Sequence, residues 1–548
     1  MQINLLGEVQ GKKKVVVKKL ARAPQYVSPN QLILEGFETP FAQKLYKDNR
    51  WIKMSNNIPW DRIVNIYNTK CVHEGGRPPI SGRIILGALM IKHLCNISDR
   101  ETILQIQENP YLQYFIGYPA FTNEAPFDHS LFVTIRERLS LDLLNQINDI
   151  IISVAFKIDG EEKIDLYNKE EKEKEENDND WEEKNNQTGE KIELSKGSIE
   201  RHGEQDISTS VDIPLLPNKG KLLMDATACP QNITHPTDIK LLNASRVKSE
   251  EFIDLLHNVQ LHGNIKVRTY RKVARKQFLN YVRKKRHSQS EIRKTIKQQL
   301  RYLKRNLDHI KTLTIKYPLG IPLKKKQKVY LETITKVYDQ QQKMIDDRVH
   351  TIENRIVNIH QPQVRPIVRG KLNAVVEFGS KIQTSLVDGY TTIDRLSWDA
   401  FNEGTALKES VEKYTKRFGF YPKEVLADQI YCNRENRKYL KERNIKLVGK
   451  PLGRPSAKAV VDHIRPGERN PIEGKFGQAK VRYGMNCIKA KLKNTSESWI
   501  ATIAVVLNLV RLARVALQYL YSKISITKIR EINLYKYQSL WFYRLQIA

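Results

Sequence analysis

The sequence predicts a mixed fold of α+β or α/β class. An all-helical domain comes first, and a sheet-based core follows, interrupted after its first strand by a long helical insertion. Three observations predict it. Apolar residues recur with helical spacing from Trp60 to about Ile152. Two short apolar runs, LLMDAT around Asp225 and VLADQIY around Asp428, read as buried strands that stop at an acid. Between them, a helical pattern runs from about Asp238 to Val357.

The 548 residues carry a formal net charge of +31 and a pI near 9.7. That length holds two to four domains, each able to bury its own core. The charge calls for a polyanionic partner, and nucleic acid is the first choice because neutralised phosphates release counterions. A membrane surface is the competing partner. The apolar run Trp499 to Val510 is too short to span a bilayer and leads into Arg511 and Arg514, so it reads as a buried core helix. The segment after Met1 shows no secretory signal. Five scattered cysteines lack zinc or redox spacing and fit a reducing cytoplasm.

Residues 1–59 read as an N-terminal arm with a basic stretch, GKKKVVVKK, at 11–19. Residues 60–157 read as the helical domain. Within it, SGRIILGALMIKHLCNISDRETILQIQ splits into two amphipathic helices near Asn96-Ile97-Ser98, with Ser98 and Glu101 forming a capping box. Asp128 or Ser130 caps a later helix through RLSLDLLNQINDIIISVAF. Such helix pairs serve either as DNA readers or as plain packing units. Residues 158–220 read as an acidic flexible linker, since 159–193 holds fifteen acids against six bases and almost no large apolar side chains. The alternative is an acidic tether competing with DNA for a basic groove.

The core is assigned to 221–237 and 371–525, the insertion to 238–370, and a tail to 526–548. Between Lys266 and Lys328 the insertion has twenty-two Lys or Arg against two acids, a net +20, interrupted by Tyr270, Phe278, Tyr281 and Tyr302. Acids for i,i+4 pairing are almost absent, so this segment reads as a phosphate-binding arm in which Arg283, Lys284, Lys285 and Arg286 form the densest run. Sheet pattern resumes at Lys371 and alternates about Asp388-Gly389, a hairpin turn pair. A helix over 404–418, the strand EVLAD, a helix over 433–443, the strand IKLVG and a loop, KPLGRPSAK, lead to a helical region holding Glu473. That order matches a ribonuclease-H-like core.

Asp225, Asp428 and Glu473 are the candidate catalytic and metal-binding residues. Arg469 stands four residues before Glu473 and Lys480 seven after. Hard divalent cations take carboxylate oxygens and keep positions open for substrate. A two-metal site for phosphodiester chemistry is only ~4 Å wide, so its acids must converge. Acids at strand ends also serve as ordinary turn residues. Thr227 stands just past the first acid and reads as a carboxylate or DNA-backbone partner, or as a plain strand hydroxyl. Tyr431, three after the second acid, reads as a base-stacking ring or a buried strand-end tyrosine.

Three stretches carry a family resemblance. GRPPISGRIILGALMIKHLCNISDRETILQIQENPYLQYFIG with PFDHSLFVTIRERL, then MDATACPQNITHPTDIKLLNASR, then ERNPIEGKFGQAKVRYGMNCIKAKL, resemble in order and type the DDE transposases of bacterial insertion sequences, in the insertion-sequence-four and -five superfamily. The family's third motif has tyrosine, arginine, glutamate and lysine at set spacing. Arg469, Glu473 and Lys480 fit it, while Pro466 stands at the tyrosine position. The resemblance implies that Asp225, Asp428 and Glu473 bind magnesium or manganese, and that Arg469 and Lys480 hold DNA phosphates. It implies double-stranded DNA partners (terminal inverted repeats and target), a homodimer on DNA and a bacterial cytoplasmic location. A nuclease or resolvase without strand transfer, or a non-catalytic DNA-binding descendant, are the alternatives.

Overall fold

The computed structural model describes residues 40–71, 80–156, 217–318, 320–371, 374–449 and 467–516. The basic stretch 11–19, the acidic segment 159–193, the loop KPLGRPSAK beyond Gly449, Pro466 and the tail 526–548 lie outside these residues. The chain divides into two compact units, residues 1–139 and 140–548.

The described part of the first unit is helical. Its core holds an aromatic cluster: Trp51 and Trp60 meet Phe115 edge-on at 5.3 and 5.5 Å, and all three rings are buried. The helix Gly82–Cys95 ends at Asn96, whose left-handed conformation (φ 53°) turns the chain. Ser98 then caps the helix Asp99–Glu108 by accepting from the Glu101 amide at 3.1 Å, the half of the expected capping box that forms. Asp99 binds Lys92 at 2.9 Å and takes both Arg136 nitrogens at 3.0 and 2.7 Å, which fastens the helix Leu131–Arg138.

The long helix expected through RLSLDLLNQ is two helices, Leu131–Arg138 and Leu141–Phe156, broken at Leu139 and Ser140. Asp128 accepts from Ser130 N in the turn before the first, which has no side-chain cap, and Ser140 caps the second by accepting from Leu143 N. The second helix packs in the second unit: Asn148 donates to Thr391 O, Asp149 pairs with Arg417, and Phe156 meets Phe418. The first compact unit ends at Leu139, between these two helices.

The second unit is built on a six-stranded mixed sheet of β1 (Lys221–Pro230), β2 (Arg365–Lys371), β3 (Ala374–Val387), β4 (Tyr390–Ser397), β5 (Glu424–Leu426) and β6 (Lys446–Val448). Its order is β2-β3-β1-β5-β6, with β4 also paired to β3. β3 runs antiparallel to β1, β2 and β4, while β5 and β6 run parallel to β1. The sheet resumes at Arg365, six residues before the expected Lys371. The β3–β4 turn is the expected hairpin, with Asp388 and Gly389 both at positive φ (47° and 86°).

Alternation along β1 sorts its side chains. Leu222 and Met224 face a core made with the helices Leu407–Phe418 and Arg434–Glu442, through Val411, Tyr414 and Leu440. Asp225 points to the other face, so the acid is not the end of its strand: β1 continues through five more residues. The helix Lys493–Ala516 is long and apolar enough to cross a membrane, yet Ile500, Ile503 and Val506 are fully buried within the protein.

Between β1 and β2 the chain forms the expected helical insertion, with main helices Asp238–Leu256, Arg271–Arg283, Gln289–Ile315 and Lys325–Asp346. It has its own core, including Leu242, Leu303, Ile310, Ile334 and Val337. Its entrance and exit are tied together: Asp238 accepts from Arg355 at 2.6 Å and from Gln341 at 2.8 Å.

Candidate active site

The parallel pairing of β1 with β5 sets Leu223 beside Leu426. Two residues further along each chain come Asp225 and Asp428, so equal steps in register carry both acids to the same level of the sheet. β5 stops at Leu426 because the chain turns into a short 3-10 helix, Gln429–Tyr431, which Asp428 caps by accepting from Gln429 N at 2.7 Å. Arg469, at the start of the helix Asn470–Gly477, reaches both acids: Nη2 lies 3.5 Å from Asp225 Oδ2, and Nη1 lies 3.2 Å from Asp428 Oδ1. One guanidinium is thus shared by two carboxylates, one within β1 and one just past the end of β5.

The two acids differ in setting. The Asp225 side chain is 17% exposed and that of Asp428 is 59% exposed. Burial raises the Asp225 pKa; a hydrogen bond from Ala226 N and the charge of Arg469 oppose the rise, while Glu403 and Asp428 add to it. A cation beside Asp225 therefore stabilises the form that burial disfavours. Glu473 lies on the same helix as Arg469 and is exposed. Among the described residues, no three His, Cys, Asp or Glu side chains gather closely enough to hold a metal ion. Of the three expected acids, Asp225 and Asp428 are brought together through Arg469. By donor type, the aspartate pair fits a divalent cation: two hard carboxylates already share one positive charge.

Tyr431 does not offer a ring to DNA. It is fully buried, and its hydroxyl donates to Gln383 Oε1 at 2.8 Å. Burial, with the nearby charges of Glu403 and Asp225, raises its pKa well above the usual phenol range. Thr227 is buried two residues beyond Asp225 on the same strand face. Lys480 is half-buried in the π-helical stretch Gln478–Arg482 that continues the Asn470–Gly477 helix.

Glu403 is a neighbour that the sequence reading missed. It pairs with Lys381 of β3 at 2.8 Å and sits in the 3-10 turn Glu403–Thr405. That turn packs on the turn after Asp428: Asn436 Nδ2 donates to both Gly404 O (2.7 Å) and Tyr431 O (2.9 Å). Tertiary contacts bring Glu403 near Asp225, so no local spacing announces it.

On the insertion, Arg283, Lys284, Lys285 and Arg286 are all exposed, and Lys284 pairs with Glu291 at 2.7 Å. Tyr270 is held between Arg268 and Arg305, at 4.6 and 4.5 Å from its ring, and Tyr281 stacks on His287 at 3.8 Å. The aromatic residues here organise the cations around them.

Comparison with known proteins gives two family matches. Residues 425–510 match a transposase DDE domain, and residues 39–138 match a transposase domain of a second family, DUF772. The first spans Asp428, Arg469, Glu473 and Lys480. Over 105 residues, 19% of this chain, the sequence is 30% identical to an uncharacterised protein, ORF8 of the nfe locus of Rhizobium meliloti. The chain spans half the length of that relative. No solved structure matches the chain.

Proposed function

We propose that this chain, which belongs with the DDE transposases of insertion sequences, binds the terminal inverted repeats of such an element, hydrolyses DNA at its ends and joins the freed 3′-hydroxyls to target DNA. The observation that carries the chemistry is the pair Asp225, within β1, and Asp428, just past the end of the parallel neighbour β5, bridged by Arg469. The strand order, with an antiparallel hairpin on one side of β1 and two parallel strands on the other, supports a ribonuclease-H-like core.

Asp225 and Asp428 would hold magnesium or manganese, with Glu473 as the third ligand from the helix Asn470–Gly477. When bound, such ions supply activation of the attacking hydroxyl and stabilisation of the leaving oxygen. Arg469 holds the two aspartates together, and would be free to hold a DNA phosphate were a metal bound between them. Lys480 holds a second phosphate on the same helical segment. The exposed run Arg283 to Arg286 grips the backbone without reading sequence, and Thr227 supports Asp225 from within β1. The first unit, residues 1–139, selects the repeat, and a homodimer holds the two ends.

The test is incubation of the protein with labelled element ends and magnesium. Specific nicking at the ends, lost in Asp225→Asn, supports the reading. Nicking that persists in that variant refutes the role of Asp225.

A further inference from the structure

The helix Lys493–Ala516 lies along the β3–β4 hairpin. Its Ala504 and Leu507 share a small cavity with Thr384, Thr391 and Ile393 of the hairpin and with Lys475 of the helix that carries Glu473. Asn508 fixes the alignment: its side chain accepts from Thr391 N at 2.7 Å and donates to Thr391 O at 2.8 Å. One turn further on, Arg511 rests against the hairpin turn. Its Nε lies 2.9 Å from where a Cβ on Gly389 would stand, and its guanidinium lies 6.0 Å from the Tyr390 ring. Arg514 follows on the same helix face and is exposed.

Among the described residues, Lys475, Arg511 and Arg514 make no ion pair, and Asp388, at the turn beside Gly389, pairs with none of them. Arg511 Nε is buried without an acceptor. Lys475 lines the same cavity as Leu507, about one turn before Arg511 on the helix Lys493–Ala516. Like charges gathered in a partly dry place are unfavourable until an anion joins them.

We propose that Lys475, Arg511 and Arg514 form an anion site that takes a backbone phosphate of the bound DNA, an assignment resting on the nucleic-acid reading above. A phosphate here relieves the repulsion and fastens the Glu473-bearing helix to the helix Lys493–Ala516. DNA occupancy then steadies the carrier of the third acid.

The test uses the full chain and inorganic phosphate against chloride at matched ionic strength. Phosphate should raise the unfolding midpoint at pH 7. The rise should shrink in Arg514→Gln and in Lys475→Gln, and persist when Arg283 to Arg286 are alanine. In Arg514→Gln, where an exposed side chain leaves the fold intact, the log–log salt slope of DNA binding should also fall by about one unit. Binding is read without magnesium, so a failure of the cleavage reading leaves this result interpretable. An unchanged phosphate response in Arg514→Gln would overturn the site, and a lost response with an unchanged DNA salt slope would overturn its assignment to DNA. A phosphate response seen only after deletion of residues 159–193 would give the site to that acidic segment instead.

Discussion

Replacing Gly404 with alanine tests whether packing between two short turns holds Asp428 in place. A Cβ on Gly404 would stand 2.7 Å from the Ile430 carbonyl oxygen and 3.2 Å from Asn433 Nδ2. An ordinary contact begins near 3.4 Å, so the turns must part by about 0.7 Å, and the nearer obstacle is backbone that cannot rotate away. Overpacking of this kind costs about 1–3 kcal/mol. The strain has two outlets. If the turns hold, stability falls by that amount; if they part, Asp428 moves, and a shift approaching 1 Å costs up to ~100-fold in rate. Urea unfolding and magnesium-dependent nicking of element-end DNA read the two outlets separately. Gly474→Ala is the control. Nothing stands within 4 Å of its added carbon, and the position is helical, so it should stabilise by about 0.5–1 kcal/mol. A Gly404→Ala protein with unchanged urea midpoint and unchanged nicking would refute the reasoning.

Asp428→Asn and Glu473→Gln should each abolish nicking and leave DNA binding nearly intact, as a gel-shift titration beside the cleavage assay would show. Alanine at Arg283, Lys284, Lys285 and Arg286 should weaken binding to repeat and random DNA alike and flatten the salt dependence, by about 0.9 of a log–log unit for each phosphate no longer neutralised. Deleting residues 1–139 should erase the difference between the two DNAs; discrimination that survives would move sequence reading elsewhere. Tyr431→Phe should leave DNA affinity unchanged but cost about 1–3 kcal/mol in urea unfolding, since Gln383 Oε1 loses its buried donor. Arg271, then Lys266, hold the Asp254 carboxyl at about 2, below its ordinary 3.8. A depressed carboxylate contributes stability that is full above about 3.8 and lost as pH falls through 2. The pair is partly exposed, so Asp254→Asn should remove no more than ~1 kcal/mol and flatten the acid limb of urea midpoints measured from about pH 5 to 2.5.

What the sequence made legible is what local chemistry governs. The Asn96 break, the Ser98 cap and the Asp388-Gly389 hairpin each depend on residues within a few positions of one another, and each is present. The helical character of the basic insertion was readable for the same reason. Asp225 was misplaced within its strand because the apolar run on either side of a buried acid does not show where pairing ends. The break after Arg138 was hidden because RLSLDLL keeps helical spacing across an interruption that Ser140 alone marks. Tyr431 and Glu403 depend on tertiary packing: one ring is buried in a core shared with β1 and β3, and one acid is carried to Asp225 by a turn-to-turn contact. The meeting of Asp225, Asp428 and Arg469 joins residues more than two hundred positions apart, and only their residue types and neighbours pointed to it.

The placement of the insertion also shapes how the protein folds. β1 is made first during synthesis, yet its partner β3 begins only after the whole insertion has been made. Until then β1 is an apolar strand with two open edges, the kind of segment that pairs with the wrong chain. The insertion shortens that wait. Its own core lets it fold before the sheet closes, and Asp238 bound to Arg355 then draws the two flanks together. A folded insertion thereby turns a closure over more than a hundred residues into one between nearby ends, lowering the entropy lost when β3 meets β1. Weakening the Asp238–Arg355 latch should therefore slow refolding more than it speeds unfolding, and leave more protein aggregated during expression.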